Sequence, residues 1–232
     1  LSTVADLVAL VRDITDLDEA DLPTSLLRTY FRDGYDRMIN LERRWPFFEV
    51  SVSLQTVAEQ RDYPMSTIGD GNVREITSIV DTSMAGNRLH LVSIDDAERV
   101  WNASLDMSSR PLYFVEWGNS VKLYPKPDTV YPLSLRGYRK PTYTWLTNDS
   151  LQVDCDDRLH TAIAYYAISQ AYKRQEDNEM SVVYKQSFDE AVALARRDLM
   201  RPPSHRPMVY NGGSPGMTER YWLQQLGRTL GQ

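Results

Sequence analysis

A block of alternating sequence, held between helical sequence on both sides, constrains this chain more than any other feature. From Phe48 onward, Val50, Val52 and Leu54 alternate with Glu49, Ser51, Ser53 and Gln55, the pattern of a half-buried strand. Further strands are predicted at 73–80, 88–93, 111–117, 120–124 and 131–139. Gly118-Asn119 and Pro125-Lys126-Pro127-Asp128 are turn signals between the last three. Ser93 and Asp96 have the spacing of a capping box, which predicts a short helix over 94–103. Gly69-Asp70-Gly71-Asn72 reads as a turn and not as a phosphate loop.

On either side the period changes to that of a helix. Val4, Leu7, Val8, Val11 and Ile14 form one apolar face over 3–14. Asp21 as N-cap and Pro23 in the first turn predict a second helix over 23–45, with Leu26, Tyr30, Met38, Leu41 and Trp45 as its apolar face. Gly34 interrupts it, a position that permits close approach of another chain. Pro46 ends it. After the β block, Asp154 or Asp156 caps a helix over 156–176 with Leu159, Ile163, Tyr166, Ala167, Gln170 and Ala171 on one face. A last helix over 179–200 carries Val183, Phe188, Ala191, Leu194 and Leu199. Helices at the two ends must bury their stripes against each other. The expected fold is therefore α+β. The N- and C-terminal helices (1–46 and 151–200) form an α-helical bundle, a β-rich domain (47–150) is inserted, and an extended C-terminal arm (201–232) follows.

The arm departs from the body in charge. It carries Arg201, Arg206, Arg220 and Arg228 against Glu219, a net of +3 that leaves −9 on residues 1–200. Residues 201–216 are rich in Pro and Gly and read as a linker. Residues 217–230 then bring Tyr221, Trp222, Leu223, Leu226 and Leu230, an apolar load that predicts docking. An acidic body disfavours tight binding to DNA phosphates. The early acids and missing basic region at the start do not predict a secretory signal. No run approaches the roughly 18 apolar residues of a membrane span.

Candidate chemistry is sparse. Cys155 is the single cysteine, which excludes an intrachain disulfide and a cysteine-based metal site. Asp154, Asp156, Asp157 and His160 are the densest group of ligand-type residues, and Asp156 and His160 are one helical turn apart. No second ligand pair is in sight, so the carboxylates read as caps of a helix N-terminus that meet its dipole. No GxSxG, P-loop or GxGxxG occurs. Catalytic residues, metal and cofactor are therefore expected to be absent. Trp45, Phe47 and Phe48 beside Arg43 and Arg44 read as core at a helix-to-strand junction, with the arginines paired to acids. Fourteen tyrosines fit a protein with extensive interfaces.

Three motifs in order resemble those of the head-to-tail adaptor (connector) proteins of tailed bacteriophages. They are Arg44-Trp45-Pro46 at a helix end, Leu123-Tyr124-Pro125-Lys126-Pro127-Asp128 in the β block, and Tyr138-Arg139-Lys140-Pro141 with Leu146 and Asp149 before an Ala- and Tyr-rich helix. The resemblance covers 22–200, apart from 57–110. It implies a structural virion protein at the head–tail interface, assembled in the host cytoplasm and touching no membrane. It implies a homo-oligomeric ring, usually of twelve copies, with the portal protein above and tail or nozzle proteins below. Double-stranded DNA passes through that ring without specific binding. Arg220, Tyr221, Trp222, Leu223, Leu226 and Arg228 are the expected anchors of an arm that docks on the portal or a neighbouring subunit. Another neck or tail-completion ring protein of the same particle is the second reading. A soluble enzyme or DNA-binding module is the third.

Overall fold

The computed structural model describes residues 3–83, 87–100 and 107–200. The arm with its six expected anchors, and the end of the helix expected over 94–103, lie outside the described residues. The described fold is mixed, with five α-helices and seven strands in one curled sheet. The helices are α1 (Val4–Thr15), α2 (Thr24–Leu41), α3 (Ile94–Val100), α4 (Asp157–Arg174) and α5 (Asn178–Leu199). The strands are β1 (Glu49–Gln55), β2 (Asp62–Pro64), β3 (Val73–Asp81), β4 (Asn87–Leu91), β5 (Tyr113–Trp117), β6 (Ser120–Tyr124) and β7 (Pro132–Arg139). No helix among the described residues is long and apolar enough to cross a membrane.

α1, α2 and α5 each pack on α4. With neighbours on three sides, α4 buries much more than one stripe: Leu159, His160, Ala162, Ile163, Ala164, Ala167, Ile168 and Ala171 are all buried. Its alanines let the other helices come close. Gly34 of α2 serves the same contact. A Cβ there would stand 3.1 Å from the Tyr166 side chain of α4, so the close approach is within this chain. Gly34→Val is expected to cost about 2 kcal/mol through overpacking, read as a lower urea midpoint.

The start of α1 is closed by Thr3, which accepts from the Asp6 N–H while Asp6 accepts from the Thr3 N–H, and by the carbonyls of Leu151 and Asp149, which accept from Val4 and Ala5. α2 departs from expectation. Pro23, not Asp21, is its N-cap, and it ends at Leu41. Its buried face is Leu27, Phe31, Tyr35 and Met38; Leu26 and Tyr30 are only half-buried and Leu41 is exposed. Trp45 is buried, but beyond the helix, in a turn continued by Pro46–Phe48. α5 differs likewise. It buries Phe188, Val192 and Ala195 and exposes Val183 and Leu194.

The strand order is β1-β7-β3-β4-β5-β6-β2. All pairs are antiparallel except β4 with β5. Apolar residues of both halves, Ile76, Ile79 and Leu135 with Phe114, Val121 and Leu123, share one core, so the sheet curls round it. β2 was not foreseen. The chain after it crosses back to β1, where Gly69, at φ +55°, sits so close to Val52 that a Cβ would come within 2.6 Å. At the short α3, Ser93 and Asp96 form the expected cap.

Candidate functional site

The motif residues fall in two places. Arg44-Trp45-Pro46 and Tyr138-Arg139-Lys140-Pro141 meet where the helices join the sheet. Trp45 is fully buried in the helical core and stacks on Phe47 at 5.6 Å. Arg44 pairs with Glu75 of β3, and the Arg43 carbonyl accepts from the Arg74 guanidinium. The aromatics are thus junction core, and Arg44 has its acid.

Arg139 is the centre of this junction. Its guanidinium donates to both carboxylate oxygens of Asp154, at 2.5 and 2.7 Å, and to the Phe47 carbonyl at 3.3 Å. It also lies over the Phe48 ring, 5.1 Å from the centroid. Asp154 further accepts from the Thr142 N–H at 3.0 Å and the Thr142 hydroxyl at 2.7 Å. Tyr35 of α2 donates its hydroxyl to the Asp154 carbonyl at 3.0 Å. Burial pushes the Asp154 carboxyl up, but Arg139 and Thr142 together outweigh it and hold it below its ordinary value. Burial and the nearby Asp154 raise the Tyr35 hydroxyl far out of the physiological range. Tyr143 and Trp145 stand edge-on to the Tyr35 ring at 5.7 and 5.4 Å. Burial and a hydrogen bond to Asp36 push the Tyr143 hydroxyl up to about 12. Arg28 on α2 reaches Asp149 at 2.6 Å.

The third motif is at the opposite end of β7. Tyr124 is buried under the Arg61 guanidinium. The Pro127 carbonyl accepts from the Glu59 N–H at 2.7 Å, and Asp128 accepts from the Tyr131 hydroxyl at 2.8 Å. Pro125 lies between Tyr124, the last residue of β6, and this turn. The motif therefore shapes the turn that leads into β7 and does not join the other two.

A buried ion pair away from the junction also went unread in the sequence. Asp81 at the end of β3 is fully buried and accepts from Arg110 through both Nε, at 2.8 Å, and Nη2, at 2.6 Å. Ser83 adds its N–H and hydroxyl. Burial pushes this carboxyl up, but Ser83 and Arg110 bring it below its ordinary value. A signal existed, because Asp81 shares the inward face of Ile79, where a charge requires a partner.

Among the described residues no group of three or more His, Cys, Asp or Glu is placed to hold a metal. Asp154 is turned to Arg139, and Asp156 caps α4 by accepting from the Arg158 N–H. Burial lowers the His160 imidazole, and burial among the three aspartates pushes the Cys155 thiol well up. A thiol so raised stays protonated at neutral pH, which is not its nucleophilic form.

Two of the three motifs thus build a structural junction, and the remaining one shapes a turn of the sheet. A family model for the SU10 adaptor protein matches residues 2–208. The chain belongs to the SU10 adaptor protein family. The match spans both helical regions and the whole sheet, including 57–110, where the three motifs are silent. It agrees with the resemblance to phage head-to-tail adaptors and makes this SU10 adaptor family member a phage adaptor protein. None of the curated proteins matches it.

Proposed function

We propose that the protein forms a ring, of twelve copies, under the portal of a tailed bacteriophage. The ring extends the DNA channel and carries the tail. The match to the SU10 adaptor family across 2–208 is the observation that carries this reading. The helices of 1–46 and 151–200 act as a bundle that bears the subunit contacts, the β-rich domain of 47–150 faces the tail or nozzle proteins, and 201–232 docks on the portal or on a neighbouring subunit. A body at −9 suits a channel wall, because like charge keeps the duplex from adhering during ejection. The arm, with Arg220, Tyr221, Trp222, Leu223, Leu226 and Arg228 as anchors, supplies aromatic and Arg side chains of the kind that dominate interface energy.

The test is the solution mass of the purified protein, alone and with portal rings. A species that becomes a ring only on portal is the expected result; a stable small oligomer that ignores portal would sink the reading. Deletion of 201–232 is expected to abolish portal attachment while leaving circular dichroism and thermal unfolding of the body unchanged. Attachment that survives the deletion would show the arm to be dispensable.

A further inference from the structure

Among the described residues, the sheet lacks part of a strand between β3 and β5. β4 pairs with β3 only over Ile79–Asp81, and with β5 only opposite Tyr113 and Phe114. The Val92 N–H still reaches the Phe114 carbonyl at 3.1 Å. The chain then leaves the sheet at Ser93 and enters α3, whose Ala97 packs on Val115 and Tyr124. Among the described residues, no strand pairs with 73–78 of β3 or 115–117 of β5 along the line that β4 abandons.

Three observations mark this opening as more than an irregularity. A cavity of about 530 Å³ lies at its β5 side, lined by Leu91, Val92, Ile94, Asp95, Glu116 and Trp117. Leu91 and Trp117 flank it at 60% and 58% exposure. The Ile76 N–H, which a strand in the gap would meet with a carbonyl, donates instead to the Glu116 carboxylate at 3.3 Å. That side chain stands in for the absent acceptor. Its carboxyl is drawn against β3, and burial pushes it up more than the Ile76 N–H lowers it. Glu116 and Asp95 make no ion pair among the described residues.

We propose that this opening is a docking slot for an extended segment of a partner protein, which adds as a strand between β3 and β5 and places a Lys or Arg beside Glu116. Unpaired strand edges recruit extended peptides through main-chain hydrogen bonds, and side-chain pockets set the choice. The β5 side of the slot is walled by Leu91, Val92, Ile94 and Trp117 with the acids Glu116 and Asp95, while on the β3 side Glu75 is already held by Arg44, so the segment that fits is apolar at alternate positions with a basic residue among them. This inference goes beyond the adaptor reading and does not depend on ring formation.

The probe is the synthetic peptide Val-Thr-Val-Arg-Val-Thr-Val, added to the full-length chain. Hydrogen exchange is expected to slow at 74–78 and 115–117 and to stay unchanged in the helices. Glu116→Gln is expected to weaken binding about tenfold, as loss of one charge-assisted contact does. The same change leaves a peptide with Gln in place of the Arg unaffected. Trp117→Ala, at an exposed position that leaves the fold intact, weakens both peptides alike. Protection absent from those amides, equal protection by a peptide N-methylated at alternate residues, or Glu116→Gln without effect would each overturn the slot.

Discussion

Gly137→Val is expected to leave little folded protein, with a loss above about 4 kcal/mol that urea unfolding followed by tryptophan fluorescence will read. Gly137 faces Ile76 where β3 shifts register against β7. A Cβ at this position would lie 1.9 Å from the Glu75 carbonyl oxygen and 3.0 Å from the Ile76 Cα. Both are backbone atoms of a central strand, so no rotamer relieves the clash, and the bulge exists only because the side chain is absent. Gly118→Ala is the control. It stands at φ +61° with nothing within 4 Å of the added carbon. It is expected to cost about 1 kcal/mol, the strain of the left-handed backbone alone. Equal losses at the two positions would mean that the β3–β7 contact is looser than described.

Asp154→Ala is expected to cost about 3 kcal/mol, the low end for stranding one partner of a buried pair, because Asp154 and Arg139 keep 18% and 22% of their side-chain exposure. The change leaves the Arg139 guanidinium, the Thr142 N–H and the Thr142 hydroxyl without their carboxylate. Asp154→Asn retains part of the hydrogen bonding and falls between. The same pair gives the protein an acid limit. The folded carboxyl lies below its ordinary value, so its contribution is complete above the unfolded pKa of about 3.9. It is lost as pH falls through the lower folded value. Asp81 acts in the same direction. The urea midpoint of the wild type should therefore drop steeply below about pH 4, and that of Asp154→Ala less so. Parallel pH profiles would show that Asp154 is not a determinant.

Half-buried strands announce themselves by alternation, which is why β6 was legible residue for residue and β1, β3, β5 and β7 nearly so. β2 spans only Asp62–Pro64, too short to alternate and closed by a proline. The helices were legible as helices, but two of their faces were not. α2 carries one apolar series at Leu26, Tyr30 and Leu41 and another at Leu27, Phe31 and Tyr35, with the buried Met38 fitting both; Trp45, read as an extension of the helix, favoured the wrong one. α5 repeats the problem in part: Phe188 of its expected series is buried, but Val183 and Leu194 are exposed while Val192 and Ala195 are buried. Only the position of α4 decides between such stripes, and local sequence does not contain it. The junction was half legible. Trp45 and Arg44 read correctly as core and ion pair, whereas Arg139 and Asp154 are ordinary charges in the sequence until the chain brings them together. Asp81 left a trace, a charge in step with core positions. The gap beside β4 left none, since an absent strand has no residues to read.

The placement of α4 at the centre of the helices has a consequence in time. Tyr35 meets residue 154, Arg28 meets Asp149, and the Tyr172 hydroxyl meets the Ile14 carbonyl. During synthesis the first helices leave the ribosome long before the helix that covers them. Their apolar faces wait through the whole of the sheet, and contacts so distant in sequence make for slow closure. Chaperone demand should therefore peak on nascent chains that end between the sheet and α4, and fall as soon as α4 emerges.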